Sequence, residues 1–278
     1  MCYRIRMSTP QDTAITVRDY HFDLPPERVR DWDGGNTSTT LFYNALSLLF
    51  PEGERFFIRS VRELSSCVRD PQLAVDVKAF TAQEAFHTRE HVEYNEALRA
   101  AGYDVDGIEA RVRSMLAYAT KRLGAIELLA ATAALEHFTA LLAHEVSSPG
   151  ERYLRNAAAP FRRLWLWHAL EEMEHKAVAF DVFRVAAGRL AYPLRVFVML
   201  TTTVFFTWHI TQNLRSMVRT DRGGLGAWLG LAWTLAVRPG IVPRLVLPYL
   251  RYYAPGFHPS QIDDRLAQVK ARAAIAYS

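Results

Sequence analysis

From Ser38 to about Gly188, apolar residues recur at three- and four-residue spacings, and Gly and Pro fall mainly at the breaks between runs. That period marks helices that bury one face. It predicts helices over 38–49, 51–69, 72–101, 105–119, 121–147 and 159–187. Pro51 stands where a first helical turn accepts proline, and Asp70-Pro71 pairs a capping carboxylate with a first-turn proline. Gly102 and 147–150 are the breaks that follow, and no alternating run marks a sheet. Before Ser38 the chain is polar and punctuated by Pro10, Pro25, Pro26 and Gly34-Gly35. It reads as an irregular leader with one short strand over Thr13–Phe22.

Beyond Gly188 the polar face disappears. Val196–Leu214 (VFVMLTTTVFFTWHITQNL) runs 19 residues without a formal charge, and Gly223–Val237 (GGLGAWLGLAWTLAV) another 15. The first has the length of a bilayer span, but Thr201–Thr203, His209, Gln212 and Asn213 count against one, and the second is too short. Arg215, Arg219, Arg222, Arg238, Arg244 and Arg251 surround these runs, with Trp228, Trp233, Tyr249, Tyr252 and Tyr253 among them. Such flanks suit an interfacial anchor or an apolar substrate channel. Three readings stay open: helices buried on the core, a layer lying on a membrane, and a span. His209 reads as a satisfied buried group. The plan is an irregular segment over 1–37, a helical bundle over 38–188 and an apolar helical extension over 189–278.

Composition narrows the class. Of 278 residues half are hydrophobic and 22% charged, which excludes disordered and fibrous chains. The two cysteines, Cys2 and Cys67, exclude a disulfide scaffold and Cys-rich zinc modules and fit a reducing compartment. The first twelve residues lack an apolar h-region, so no secretory signal is expected, and a cytoplasmic protein, peripheral at the inner membrane face, is. The excess of 33 basic over 29 acidic residues, +4, is too small to point to nucleic acid.

The chemistry lies in carboxylates set on apolar helix stripes. In FTAQEAFHTREHVEY, Glu84 and His87 project from one face, and His91 returns to it one turn later. In WHALEEMEH, His168, Glu172 and His175 fall on one side of the wheel. Glu54 shares a stripe with Phe57, Ile58, Val61 and Leu64, which favours it over Glu52. Glu136 has Leu129, Thr132, Ala133 and Ala140 as stripe mates. A lone Glu-x-x-His on a helix is ordinarily a solvated pair. A carboxylate on such an apolar stripe, by contrast, must be paired, protonated or metal-bound. The order Glu54, Glu84-x-x-His87, Glu136, Glu172-x-x-His175 is that of a bundle holding two metal ions, whose charge the four carboxylates neutralise. Without metal the same groups form a costly buried ionic network. Asp181, Glu171 and Asn95 are unranked candidates for orienting the histidines.

Over 50–182, FPEGERFFIRSVRE, VKAFTAQEAFHTREHVEYNEAL, AATAALEHFTALLA and WHALEEMEHKAVAFDVF resemble the bacterial predicted metal-dependent hydrolases, and PGFHP at 255–259 resembles their tail. The ligand order is similar to ferritin-like di-iron carboxylate proteins. The resemblance implies an all-α, ferritin-like four-helix bundle with additional C-terminal apolar helices. His168-x-x-x-Glu172-x-x-His175 is similar to the arylamine N-oxygenases, which carry an extra histidine at that place. That likeness implies Glu54, Glu84, His87, Glu136, Glu172 and His175 as six ligands and His168 as a seventh, and leaves His91 as ligand or orienting donor.

Three functions compete. The leading expectation is two irons activating O2, with an external electron donor, to hydroxylate, desaturate or N-oxygenate an apolar small molecule. The second is a hydrolase in which two ions, manganese or zinc serving as well as iron, activate a water. The third is non-enzymatic iron handling or a membrane-associated scaffold. The expected partners are the apolar substrate, a membrane surface through 192–253 and a second copy in a homodimer.

Overall fold

A computed structural model describes residues 15–148, 153–238 and 240–276, and no strand occurs among the described residues. The long elements are α1 (Thr37–Ser47), α2 (Phe50–Leu64), α3 (Pro71–Ala100), α4 (Val105–Arg122) and α5 (Ala125–Val146). They continue as α6 (Ala159–His175), α7 (Val178–Ala187), α8 (Ala191–Thr220), α9 (Leu225–Ala236), α10 (Ile241–Arg251) and α11 (Arg265–Ala276). The all-α class read from the periodicity therefore holds. Local chemistry starts several of them. Asn36, Asp70 and Asp104 accept the backbone N–H groups of Thr39, Leu73 and Gly107 at 3.2, 2.8 and 3.0 Å, which satisfies donors left over at a helix start.

Helices α2 and α6 each pack on both α3 and α5, so each of these four touches two of the others. Phe57, Val61, Phe80, Leu129 and Ala133 are buried where they meet. Helices α8 to α11 join the same cores. Leu214, Met217, Leu231, Ile241 and Ala271 cluster with Leu46, Leu98 and Trp165.

Two expectations are corrected. The strand over Thr13–Phe22 does not form over the described part, 15–22, and Thr13 and Ala14 lie outside the described residues, as do Cys2 and the first twelve residues. That segment pairs with side chains rather than with another backbone edge: Thr16 N–H donates to Glu174 and Phe22 N–H to Glu90. The helix read over 159–187 is two helices, broken at Lys176-Ala177. Both residues keep right-handed helical dihedrals, so the apolar period runs on unbroken through the interruption. The break falls where Lys176 turns its ammonium to the Ile262 carbonyl and the Asp264 carboxylate.

By length and composition two helical stretches could cross a membrane, α5 and the run from Ala159 to Thr220. Helix α5 carries Glu136 into the core, and the apolar window of the second is only 17% buried.

Candidate metal centre

All eight residues singled out as ligand candidates are brought together and buried: Glu54, Glu84, His87, His91, Glu136, His168, Glu172 and His175. Glu52, passed over in favour of Glu54, lies outward and pairs with Arg55 and Arg113.

His175 is the clearest case. Its Nδ1 lies 2.9 Å from Gln83 Oε1, and the Gln83 amide nitrogen donates to the Thr16 carbonyl. The Gln83 oxygen must therefore accept, which assigns the proton to Nδ1 and leaves Nε2 bare. Around that Nε2 lie Glu84 Oε1 at 3.1 Å, Glu136 Oε2 at 3.4 Å and Glu172 Oε1 at 3.6 Å. Three carboxylate oxygens around an imidazole lone pair require a cation. In the metal-free chain a proton takes that part. Burial opposes it, but Glu136 and Glu172 outweigh burial and raise the His175 pKa well above its usual value.

His87 follows the same logic with its nitrogens exchanged. Nε2 donates to Glu171 Oε2 at 3.1 Å, and Nδ1 faces Glu172 Oε1 at 3.6 Å. Arg18 donates to the other Glu171 oxygen at 3.1 Å. Burial pushes Glu171 up to about 7 even so.

The third histidine is set by a chain of donors. Asn95 Nδ2 donates to the Ser47 carbonyl, so its Oδ1 accepts from Ser47 Oγ at 2.8 Å. Ser47 Oγ in turn accepts from His91 Nδ1 at 2.9 Å, and His91 Nε2 accepts from His168 Nδ1 at 2.9 Å. His168 Nε2 is left bare, 3.2 Å from Glu172 Oε1. Both ring nitrogens of His91 are thus engaged with Ser47 and His168. The ring of His168 is held between Phe50 at 4.7 Å and His87 at 4.2 Å.

The carboxylates carry the strongest signal for metal. Both oxygens of Glu54, Glu84 and Glu136, Oε2 of Glu172, Nδ1 of His87 and Nε2 of His175 are buried with no hydrogen-bond partner among the described residues. Burial raises the pKa values of Glu54 and Glu84 well above the carboxylate range and takes Glu136 to about 7, whereas His175 and His168 hold Glu172 low against its burial. Buried carboxylates left unpaired cost on the order of several kcal/mol each, a cost that bound metal would remove. Ligand atoms of Glu54, Glu84 and His87 lie within 4.8 Å of one another, as do those of Glu84, Glu172 and His175. Glu84 belongs to both groups. His168 adds two further groups, one with His87 and Glu172 and one with Glu54 and His91.

Sequence reasoning missed the supports. Arg18 holds Glu171 and Glu174, and Gln83 orients His175. Glu171 and Asn95 act from among the named candidates, whereas Asp181 pairs instead with His258 at 2.9 Å. His209 is buried as expected but not satisfied: both ring nitrogens lack a partner among the described residues, and burial lowers its pKa.

His168 and Glu172 line a cavity together with Phe42, Leu46, Phe50, Leu142, Val146, Trp165 and Ile241. Its free volume of about 30 Å³ admits one or two water-sized groups.

Fold and site together define an all-helical, metal-dependent protein with a buried glutamate–histidine centre. The chain belongs to the family of predicted metal-dependent hydrolases, whose model matches residues 16–263. No curated protein and no solved structure matches it.

Proposed function

We propose that this chain is a hydrolase that works with two divalent ions, held by Glu54, Glu84, His87, Glu136, Glu172 and His175, on an apolar small molecule. When bound, the ions supply a water of lowered pKa and polarise the oxygen of the scissile bond. The observation that carries hydrolysis is the bare Nε2 of His168, a residue that lines the apolar cavity. A proton reaching Nε2 lets the Nδ1 proton move to His91 Nε2, so that the positive charge rests on His91, whose Nδ1–H stays hydrogen-bonded to Ser47 Oγ. A linked pair of this kind accepts a proton and later returns it, as a general base and then a general acid must. Phe42, Leu46, Phe50 and Leu142 present apolar side chains to the small part of the substrate beside the scissile bond and keep bulk water out. The family description supports the same chemistry.

A second reading rests on His168 standing one turn before Glu172-x-x-His175, with every acid of the set a glutamate. It is O2 activation by two irons, in a ferritin-like bundle, to hydroxylate, desaturate or N-oxygenate the substrate. There His168 is a seventh ligand, and His91 fixes its tautomer.

The deciding experiment offers medium-chain p-nitrophenyl esters to the chain reconstituted with zinc or with iron, with and without O2. Hydrolysis by the zinc form under argon supports the first reading. Turnover confined to iron with O2 selects the second, and failure to bind metal overturns both. His168→Gln is expected to lower kcat by about 10²–10⁴-fold with metal content unchanged. Loss of an ion instead assigns His168 to the ligands.

A further inference from the structure

We propose that the exposed apolar face of α8, α9 and α10 seats the protein on an anionic bilayer surface, with α8 in the membrane plane. Phe197, Leu200, Val204 and Trp208 form one stripe along α8 and are 65%, 53%, 68% and 48% exposed. Helices α9 and α10 add Leu229 and Leu247, at 62% and 63%. Isolated apolar side chains on a surface need no explanation, but an exposed stripe of this length along one helix, with more on α9 and α10, marks an interaction site.

The opposite face of α8 fixes the mode. Val198, Met199, Asn213, Leu214 and Met217 are buried, and the helix packs on α1 and α5. One side is committed to the protein and the other is apolar and open, which is the arrangement of a helix lying in an interface rather than crossing it.

Charge names the partner. Residues 182–262 contain nine arginines and one acid, Asp221, a balance of +8. Asp221 is already taken by Arg30 at 2.6 Å and by the Tyr103 hydroxyl at 2.8 Å. Arg189, Arg215, Arg219, Arg222, Arg238 and Arg251 are exposed and have no carboxylate partner among the described residues. On α8 the exposed stripe is apolar from Phe197 to Trp208 and continues as Arg215 and Arg219. Acyl chains beside anionic head groups match that sequence of surfaces. A second copy does not, because it would bring two layers of +8 together. Ile241, at the start of α10, also lines the cavity that His168 and Glu172 line, so the seated layer adjoins that cavity.

The test is flotation of the detergent-free full chain with vesicles of phosphatidylcholine alone or with one third phosphatidylglycerol, at low and high salt. The chain is expected to float with the anionic vesicles and to be released by salt. Arg215→Gln and Arg219→Gln should each lower the partition coefficient about fivefold, and Trp208→Asp should lower it further, all with unchanged helical content and metal content. Equal binding to both vesicle types, or none to either, overturns the proposal. So does a dimer in light scattering that Trp208→Asp dissociates, which would assign the face to a second copy.

Discussion

Glu136 shows what a single buried acid does to this molecule. Its stripe on α5 offers Leu129, Thr132, Ala133 and Ala140, all buried, and neither carboxylate oxygen finds a donor among the described residues. Burial, helped by the charge of Glu172 and opposed by His175, takes its pKa to about 7, with His175 the nearest compensating charge in the metal-free chain. Replacing it by the isosteric amide removes the charge and keeps the volume. Glu136→Gln is therefore expected to leave the metal-free melting temperature unchanged or raised, because a buried unpaired carboxylate is a cost rather than a support. The same variant should bind less metal. Calorimetry of the metal-free form beside elemental analysis of the loaded form separates the two effects, and a large drop in metal-free stability would show that the carboxylate is structural.

At the scale of elements, the helices were legible where their period was. Glu54, Glu84, His87 and Glu172 could be placed on buried faces because a helix repeats its face every three or four residues, and the structure buries each of them. The supports could not be placed in this way. Arg18 lies in a segment with no period, Gln83 looks like any polar residue beside Glu84, and Ser47 reaches His91 from the end of another helix. Nor does the pattern show the break after His175, where both residues stay in helical dihedrals. The next joint is different in kind. Gly188, between α7 and α8, has φ +54° and ψ −122°, a conformation open to glycine and strained for any other residue. An added Cβ there meets nothing within 4 Å, so strain is the whole cost. Gly188→Ala should lower stability by about 1–3 kcal/mol in reversible denaturant unfolding, with metal binding unaffected. A change within about 0.5 kcal/mol would mean the joint relaxes freely.

At the scale of the molecule, the C-terminal region is fastened to the metal helices by charge as well as by apolar packing. Asp264 is buried, accepts from His144 Nδ1 at 2.5 Å and pairs with Lys176, next to His175. Arg272 on α11 reaches Glu174, which Arg18 also holds. The hydrogen bond to Asp264 raises the pKa of His144, against its burial and the nearby Lys176. A histidine pKa raised by folding gives stability that is complete below the unfolded value of about 6.5 and fades as pH climbs through the folded value. The melting temperature is thus expected to decline as pH rises above the unfolded value of about 6.5, and His144→Asn should flatten that decline. A slope identical in the two proteins would remove His144 as its source.

The sequence by itself determined the all-helical class, the carboxylates and histidines of the centre, and the change of character after Gly188. Each depends on local periodicity or on uncompensated charge in an apolar run, and both are written along the chain. Tertiary structure alone decided which nitrogen of each histidine is bare. That choice is made by partners distant in sequence: Gln83 for His175, Glu171 for His87, and Ser47 through His91 for His168. It also decided which face of α8 is committed to the core and which is left open. A uniformly apolar helix carries no period to mark its own inside, so only the surface it packs against can select one.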